Sequence, residues 1–153
     1  MKVLVIGGVA AGTKTAAKLK REDRSAEVTL IAKGKEISYA GCGLPYYVGN
    51  VIEEREELVV NTPEKFAALT GVDVYTGREA VCLDSQGKTV KARNLETGEE
   101  QIYPYDKLVI ATGASAAVPP VAGMDKQGVF TMRTPDDAVS MRSYIEEHDV
   151  KKA

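Results

Sequence analysis

The chain of 153 residues has 44% hydrophobic residues, 27% charged residues and a formal net charge of −2, which favours one globular domain and no nucleic-acid partner. Its longest apolar runs have the length of strands rather than of a membrane span, and a strand begins so close to Met1 that no signal peptide fits before it. Two cysteines, Cys42 and Cys82, are too few for a secreted disulfide scaffold, so we expect a cytoplasmic protein without membrane contact.

The first elements form a β-α-β pattern of about 30 residues, the size of a mononucleotide-binding half. Residues 2–6 are typical of a buried parallel strand, residues 10–21 of a helix and residues 27–31 of a second strand. The helix face nearest the sheet is predicted to carry the small residues Ala11, Gly12, Ala16 and Ala17.

The rest of the chain predicts short helices and strands. Pro45 favours a short helix that begins near Cys42, and Thr62 followed by a proline predicts a helix to about residue 69. Strands are predicted at 72–75, 78–83, 89–95, 100–105 and 107–111, of which the last is buried and the three between 78 and 105 form an antiparallel meander. Thr134 is predicted to cap a helix over 135–147. The fold class is therefore α/β: a Rossmann-like parallel sheet with flanking helices and an antiparallel β-meander insertion.

A glycine-rich loop, Gly-Gly-Val-Ala-Ala-Gly at positions 7–12, lies between the first strand and the first helix. Gly7 suits a tight turn, Gly12 suits close helix–strand packing, and the free amides of the helix start suit a pyrophosphate. Val9 takes the place of the usual middle glycine, and Ala32-Lys33 follows the second strand where a ribose-binding acid is expected, the nearest acid being Glu36. The loop predicts either a dinucleotide site or a plain strand–helix turn.

The stretch Ser-Tyr-Ala-Gly-Cys-Gly-Leu-Pro-Tyr at positions 38–46 resembles the active-site stretch of the single-cysteine flavoprotein disulfide reductases. This family includes coenzyme A-disulfide reductases, NADH oxidases and NADH peroxidases. The glycine loop and the stretches at 62–66, 105–114 and 131–133 follow in the family's order, so the resemblance covers essentially the whole chain.

The resemblance implies that residues 1–114 are the first part of an FAD-binding domain, with the meander at about 78–105, and that residues 115–153 are a linker and helix leading to an NAD(P)-binding domain that this incomplete chain lacks. The parent protein would be a homodimer formed through a C-terminal domain, which is also absent. Electrons would pass from NAD(P)H through FAD to Cys42, which would act on coenzyme A disulfide or a related small disulfide or persulfide.

The resemblance also assigns site residues, and no metal is expected. Cys42 is the catalytic residue, at the predicted start of a short helix where the dipole favours a thiolate. FAD contacts fall on Gly7, Gly8, Val9, Ala10, Ala11, Gly12, Lys33, Ser38, Gly43, Val81, Ala111, Thr112, Gly113 and Arg133. Substrate contacts fall on Ser38, Gly41 and one basic helix face, Lys14, Lys18 and Arg21, for which a solvated surface face is the alternative.

The branches of the family differ at the glycine loop. Peroxidases and water-forming oxidases carry a histidine where this chain has Ala10, so the chain is more similar to the coenzyme A-disulfide reductases, including relatives with a rhodanese domain that act on persulfides. An NADH oxidase or peroxidase remains an alternative, as does a nucleotide-binding module without catalysis for the chain alone. Cys82, between Val81 and Leu83 in a strand, is expected to pack in the core, and His148 to be a surface residue.

Overall fold

The computed structural model describes residues 1–152, which form two compact units. One unit consists of Met1–Ser38 and Asn61–Gly113, and the other of Tyr39–Val60 and the chain from Ala114 onward. In chain order the helices and strands are β1 (Lys2–Ile6), α1 (Ala10–Glu22), β2 (Glu27–Ile31), α2 (Leu44–Val48), α3 (Pro63–Thr70), β3 (Asp73–Tyr75), β4 (Arg78–Asp84), β5 (Thr89–Asn94), β6 (Glu100–Pro104), β7 (Lys107–Ile110) and α4 (Pro135–Glu147). Each predicted helix and strand is present, with ends that differ by a few residues; a 3₁₀ turn at Arg55–Leu58 was not predicted.

The first unit is built on a parallel sheet with the strand order β3-β2-β1-β7. Alternate residues of β1 point to opposite faces of this sheet. Val3 and Val5 pack in a buried cluster with residues of α1 and α3, including Ala16 and Phe66, whereas Leu4 packs in a second cluster with residues of β5 and β6. The α/β, Rossmann-like class is confirmed, with helices on one face of the sheet and the meander on the other.

The strand β7 corrects one prediction, because it lies at an edge of the parallel sheet and is not buried. It pairs with β1 in parallel register and has no second strand neighbour within residues 1–152. Ile110 is consequently 62% exposed. The small-residue face of α1 also differs: Gly12 and Ala16 are buried, but Ala11 is exposed at the start of the helix.

The antiparallel meander β4-β5-β6 is confirmed, but Cys82 is not a core residue. The register shifts at a bulge between Ala80 and Cys82, after which Cys82 pairs with Lys91 on the face opposite Val90. Val90 is fully buried, whereas the Cys82 thiol is free and exposed. β4 is an edge strand, paired only with β5 in this sheet. The alternation of Cys82 with Val81 and Leu83 therefore predicted the burial of Cys82 wrongly.

The second unit packs α2 against α4. Leu44, Tyr47, Leu58 and Ala138 form its buried cluster. Thr134 caps α4 as predicted: its hydroxyl accepts from the amide of Asp137 at 3.3 Å, and the Asp137 carboxylate accepts from the amide of Thr134 at 2.8 Å. Within residues 1–152, no helix has both the length and the apolar character that crossing a membrane requires.

Candidate cofactor and redox site

The glycine loop packs too tightly for a side chain at any of its three glycines, and a Cβ at Gly8 would come under 3.0 Å from side-chain atoms of Ile37 and Ala32. Gly7 has a φ of +115°, and a Cβ there would come under 3.0 Å from the carbonyl oxygen of Ala111, closer than real Cβ atoms lie. A Cβ at Gly12 would come under 3.0 Å from the carbonyl oxygen of Gly7. The loop therefore joins the ends of β1 and β7 to the start of α1 by backbone contacts that only glycine permits.

The start of α1 presents unused backbone donors. The amide of Thr13 donates to the Val9 carbonyl and begins the helical ladder, so the amides of Ala10, Ala11 and Gly12 have no partner within the helix. No side chain caps this end, and its first turn contains no acidic residue. Ala10 and Ala11 are exposed. Free amides at the positive end of a 13-residue helix fit the pyrophosphate of a dinucleotide.

Most of the other predicted cofactor residues of the first unit lie beside this loop. The amide of Ser38 donates to the Gly8 carbonyl at 2.8 Å, and Ser38 has a φ of +53°. The amide of Ala111 donates to the carbonyl of Ile6, which places Ala111, Thr112 and Gly113 at the carboxyl end of β7. Val81 lies on β4, the edge strand of the meander, and is partly exposed.

The end of β2 has a carboxylate nearby that the sequence analysis missed. Ala32 is buried, and its carbonyl accepts from the amide of Arg78, which brings the start of β4 beside it. Lys33 Nζ lies 2.8 Å from Glu79 Oε1. The hydrogen bond and charge of Lys33 lower the pKa of Glu79, so its carboxylate remains ionised at neutral pH. Glu79 is 47 residues from Ala32 in sequence, and no local pattern predicts this proximity.

Cys42 lies in a 3₁₀ turn, Gly41–Gly43, that continues directly into α2. Its thiol is free and exposed, and Pro45 is in the first turn of α2 as predicted. The two neighbouring glycines differ: a Cβ at Gly41 would have nothing within 4 Å, whereas a Cβ at Gly43 would lie 3.3 Å from Ile52 and Leu58 side-chain atoms. The Gly41 side thus leaves room for a bulky reactant, and the Gly43 side faces packed residues.

Several contacts hold the segment around Cys42. The amide of Ala40 donates to the Leu58 carbonyl at 2.7 Å, and the amide of Gly43 donates to the Ala40 carbonyl at 2.9 Å. Tyr39 and Val59 form an isolated antiparallel bridge. The turn that carries the thiol is therefore closed at its base by the 3₁₀ turn Arg55–Leu58 and the residue after it.

Helix α4 holds the same segment through one arginine. The Arg142 guanidinium carbon lies 4.6 Å from the centroid of the Tyr47 ring. Its Nη1 donates to the Glu53 carbonyl at 2.9 Å and lies 3.5 Å from the Ile52 carbonyl, and its Nε donates to Glu146 at 3.0 Å. The hydrogen bond to Glu146 raises the pKa of Arg142 above its usual value. Nothing in the local sequence indicates these contacts, which span about 90 positions.

The remaining predicted residues have ordinary surface positions. Lys14, Lys18 and Arg21 are all exposed on α1, and Lys18 forms an ion pair with Glu22 at 2.5 Å. Arg133 is exposed, and its Nε donates to the Ala114 carbonyl at 2.9 Å. His148 is exposed and stacks on Tyr144. Residues 1–152 contain no cluster of three or more His, Cys, Asp or Glu side chains placed to hold a metal ion.

Residues 1–151 match the family described as "Pyridine nucleotide-disulphide oxidoreductase", and the chain belongs to this family of enzymes. Proteins of the family bind FAD and NAD(P)H. The predicted family is thus confirmed, and the dinucleotide interpretation of the glycine loop agrees with it.

Three relatives illustrate the range of activities. A coenzyme A disulfide reductase of Staphylococcus haemolyticus is 34% identical over 152 residues, covering 99% of this chain and 34% of the relative. An NADH oxidase of Methanocaldococcus jannaschii is 35% identical over 152 residues, with the same coverage of 99% and 34%. The structure of an NAD-dependent persulfide reductase from A. fulgidus superposes with a TM-score of 0.90 at 40% identity, covering 96% of this chain and 28% of that one. The chain therefore spans about a third of the length of the curated relatives it matches.

Proposed function

We propose that this chain is the amino-terminal, FAD-binding part of a longer enzyme that takes electrons from NAD(P)H and reduces coenzyme A disulfide or a related disulfide or persulfide. The complete enzyme is this longer protein, of which the chain is one part. The observation that carries the proposal is the free, exposed Cys42 in a turn open on its Gly41 side, in a chain of the disulphide oxidoreductase family. The relative named coenzyme A disulfide reductase supports the choice of substrate.

The fit to FAD rests on the glycine loop. The amides of Ala10, Ala11 and Gly12 donate to the pyrophosphate, and Gly7 and Gly8 leave the backbone close to it. Lys33 holds Glu79 beside the end of β2, where its carboxylate accepts hydrogen bonds from the ribose hydroxyls in place of the missing acid at Ala32. The further contacts proposed are Val9, Ser38, Gly43, Val81, Ala111, Thr112, Gly113 and Arg133. FAD, when bound, connects the nicotinamide and the thiol electronically.

Cys42 performs the exchange with the substrate. Its thiolate attacks one sulfur of the disulfide, the sulfur–sulfur bond breaks, and the second sulfur leaves as a thiolate that takes up a proton. A mixed disulfide on Cys42 remains. Two electrons from NAD(P)H and one proton then restore the Cys42 thiolate and release the second thiol. The exposed position of Cys42 and the open space beside Gly41 leave room for a bulky disulfide.

The basic face of α1 would bind the phosphates of coenzyme A. Lys14, Lys18 and Arg21 are exposed, and Ser38 and Gly41 complete the proposed substrate contacts. Both thiols of the chain are free, which is consistent with a reducing cytoplasm. The complete enzyme is proposed to be a homodimer formed through a domain beyond this chain.

One other function, and one of the proposed substrates, have specific support among the relatives. The 35% identical NADH oxidase favours oxygen as electron acceptor, although Ala10 occupies the loop position where the oxidase and peroxidase branch is expected to carry a histidine. The persulfide reductase, at 40% identity, supports the persulfide that the proposal names as a related substrate. For the chain alone, nucleotide binding without catalysis is the remaining alternative.

The two exposed thiols provide the decisive experiment. In the complete enzyme, Cys42→Ser is expected to abolish NAD(P)H-dependent reduction of coenzyme A disulfide and of its persulfide, while FAD remains bound. Cys82→Ser, a matched change at the other free thiol, is expected to leave turnover within about twofold, because surface substitutions are usually nearly neutral. Activity that survives Cys42→Ser but is lost in Cys82→Ser would refute the assignment, and NADH oxidation that depends only on oxygen would favour the oxidase.

A further inference from the structure

The geometry points to Arg142 as a positioning residue for Cys42: it holds α2 and the segment after it, and thereby sets the place of the thiol. This inference rests on the proposed role of Cys42 as the redox cysteine. It adds a residue of α4, about 100 positions away in sequence, to the machinery of that site.

The thiol stands on elements that have little rigidity of their own. Helix α2 contains five residues, Leu44–Val48, whereas isolated helices shorter than about 12 residues are marginal in water. The 3₁₀ turn before it has glycine on both sides of Cys42, and no neighbour restrains the Gly41 side. The position of the thiol must therefore be set by what packs against α2 and the 3₁₀ turn.

The first contact of Arg142 fixes the rotation of α2. Tyr47 lies three residues after Leu44, so both belong to the same face of the helix, and both are buried. The Arg142 guanidinium covers the Tyr47 ring at 4.6 Å, a cation–π geometry. Rotation of α2 would withdraw the ring from the guanidinium, and it would move the turn that is continuous with the helix.

The second contact fixes the chain after α2. Arg142 Nη1 donates to the carbonyl of Glu53 at 2.9 Å and lies 3.5 Å from that of Ile52. The Ile52 side chain in turn lies against Gly43, since a Cβ there would be 3.3 Å from Ile52 Cδ1. Arg142 is therefore linked through Ile52, which packs beside Gly43, to the residue next to Cys42.

The arginine is itself held in place and suited to this role. Glu146 accepts from its Nε at 3.0 Å, which leaves Nη1 directed at the carbonyls. A planar guanidinium can cover an aromatic ring and donate in its own plane at once, whereas the ammonium of lysine is a compact point charge. Arg55, the first residue of the 3₁₀ turn Arg55–Leu58, pairs with Asp136 of α4 at 3.0 Å and so joins α4 to that turn.

The experiment compares Arg142→Met, Arg142→Lys and Arg93→Met in the complete enzyme, each in a Cys82→Ser background so that Cys42 is the only thiol of this chain. Arg93 is the matched control, because it forms an exposed ion pair with Glu100 at 3.2 Å on the meander, in the compact unit that does not contain Cys42. We measure kcat and KM for coenzyme A disulfide, FAD content, the thermal midpoint, and the pH dependence of Cys42 alkylation by iodoacetamide.

Arg142→Met is expected to lower kcat by about 10- to 100-fold with KM within about twofold, since small misplacements of reacting groups cost rates of this order. FAD content stays the same, and the rate of Cys42 alkylation differs from that of the parent. Arg142→Lys recovers part of kcat because it keeps the charge over Tyr47, and Arg93→Met leaves kcat and alkylation unchanged.

A fall in the thermal midpoint with unchanged kcat and alkylation would show that Arg142 is only structural and would overturn the inference. If Arg142→Met does not fold, the Arg142→Lys variant provides the test. In that case, a kcat of Arg142→Lys equal to that of the parent overturns the inference. Loss of the proposed function is recognised separately, because turnover would then survive Cys42→Ser in the same assay.

Discussion

Glu79 shows how a single side chain from another strand can alter the chemistry of a sheet edge. Ala32, directly after β2, carries no carboxylate, and Lys33 holds the Glu79 carboxylate of β4 at the same place. Because the pKa of Glu79 is lowered by this lysine, the carboxylate is an acceptor throughout the neutral range and above. An acceptor of this kind is what the ribose hydroxyls of a dinucleotide require.

We predict that Glu79→Gln weakens FAD binding to the complete enzyme by about 10- to 100-fold, the range expected for a hydrogen bond to a charged group. Fluorescence titration of apoprotein with FAD measures this. Glu100→Gln is the matched control, because Glu100 is also ion-paired on the meander and its pKa is also lowered, by hydrogen bonds from Arg93 and Lys91. Equal effects of the two changes would assign Glu79 to meander stability alone.

A second residue-scale prediction concerns Lys14, Lys18 and Arg21. Replacing all three with alanine in the complete enzyme is expected to raise KM for coenzyme A disulfide at least about tenfold with kcat little changed, the signature of lost uniform binding. Lys107→Ala, a change at a lysine that is exposed on β7, serves as the control. An unchanged KM in the triple variant would show that the three residues form an ordinary solvated helix face without a role in substrate binding.

Helix α4 is the element on which the second unit depends. Its N-terminal capping box joins Thr134 and Asp137, and its later turns carry Ala138 and Arg142 against the segment around Cys42. Partial burial acts to raise the pKa of Asp137, but hydrogen bonds from the amides of Thr134 and Arg133 and from the Thr134 hydroxyl lower it overall. The ionised form of Asp137 therefore stabilises the folded state.

We predict that Thr134→Ala destabilises this helix by about 1 kcal/mol, as N-cap replacements do. Ser140→Ala, at an exposed position of the same helix, is expected to change the urea midpoint little.

The contribution of Asp137 to the free energy of unfolding is present above its unfolded pKa of about 3.9 and is lost as the pH falls through its lower folded pKa. Asp137→Asn should therefore lower the urea midpoint at pH 7 and approach the parent's value at strongly acidic pH. A difference that persists in acid would contradict this origin.

Local sequence signals predicted the elements well because each has a local cause. Apolar runs predicted β1 and β2, turn residues separated the meander strands, and Thr134 and Thr62 mark helix caps that are present. The burial of β7 and of Cys82 was predicted wrongly, because position at a sheet edge and the bulge in β4 depend on tertiary pairing. For the same reason the contacts of Glu79 and Arg142 could not be predicted, whereas the motif around Cys42 could.

At the scale of the whole molecule, the chain corresponds to about a third of its curated relatives, with 34% of the coenzyme A disulfide reductase covered. Within residues 1–152 there is one parallel sheet and one glycine loop at the start of a helix. A nicotinamide must be held against the flavin for electron transfer, and positioning of this kind can contribute about 7–11 kcal/mol.

We predict that the 153-residue chain alone folds but has no NAD(P)H-dependent reductase turnover, and that it binds FAD weakly. The measurement mixes the chain with FAD, NADH or NADPH, and coenzyme A disulfide, and follows nicotinamide absorbance and thiol release. Far-UV circular dichroism on the same sample shows whether the helices and strands are present. Turnover near the enzyme median of about 10 s⁻¹ would show that the chain is self-sufficient.

The backbone contacts at Gly7 and Gly12 have a consequence for the evolution of this chain. Since a methyl group at either position would collide with a carbonyl oxygen, selection for folding alone removes mutations there, whether or not a cofactor binds. Descendants that lose the cofactor are therefore expected to keep both glycines, while Val9 and the exposed Ala10 become free to vary. Across lineages, Gly7 and Gly12 are therefore expected to reflect packing, whereas Val9 and Ala10 reflect the ligand.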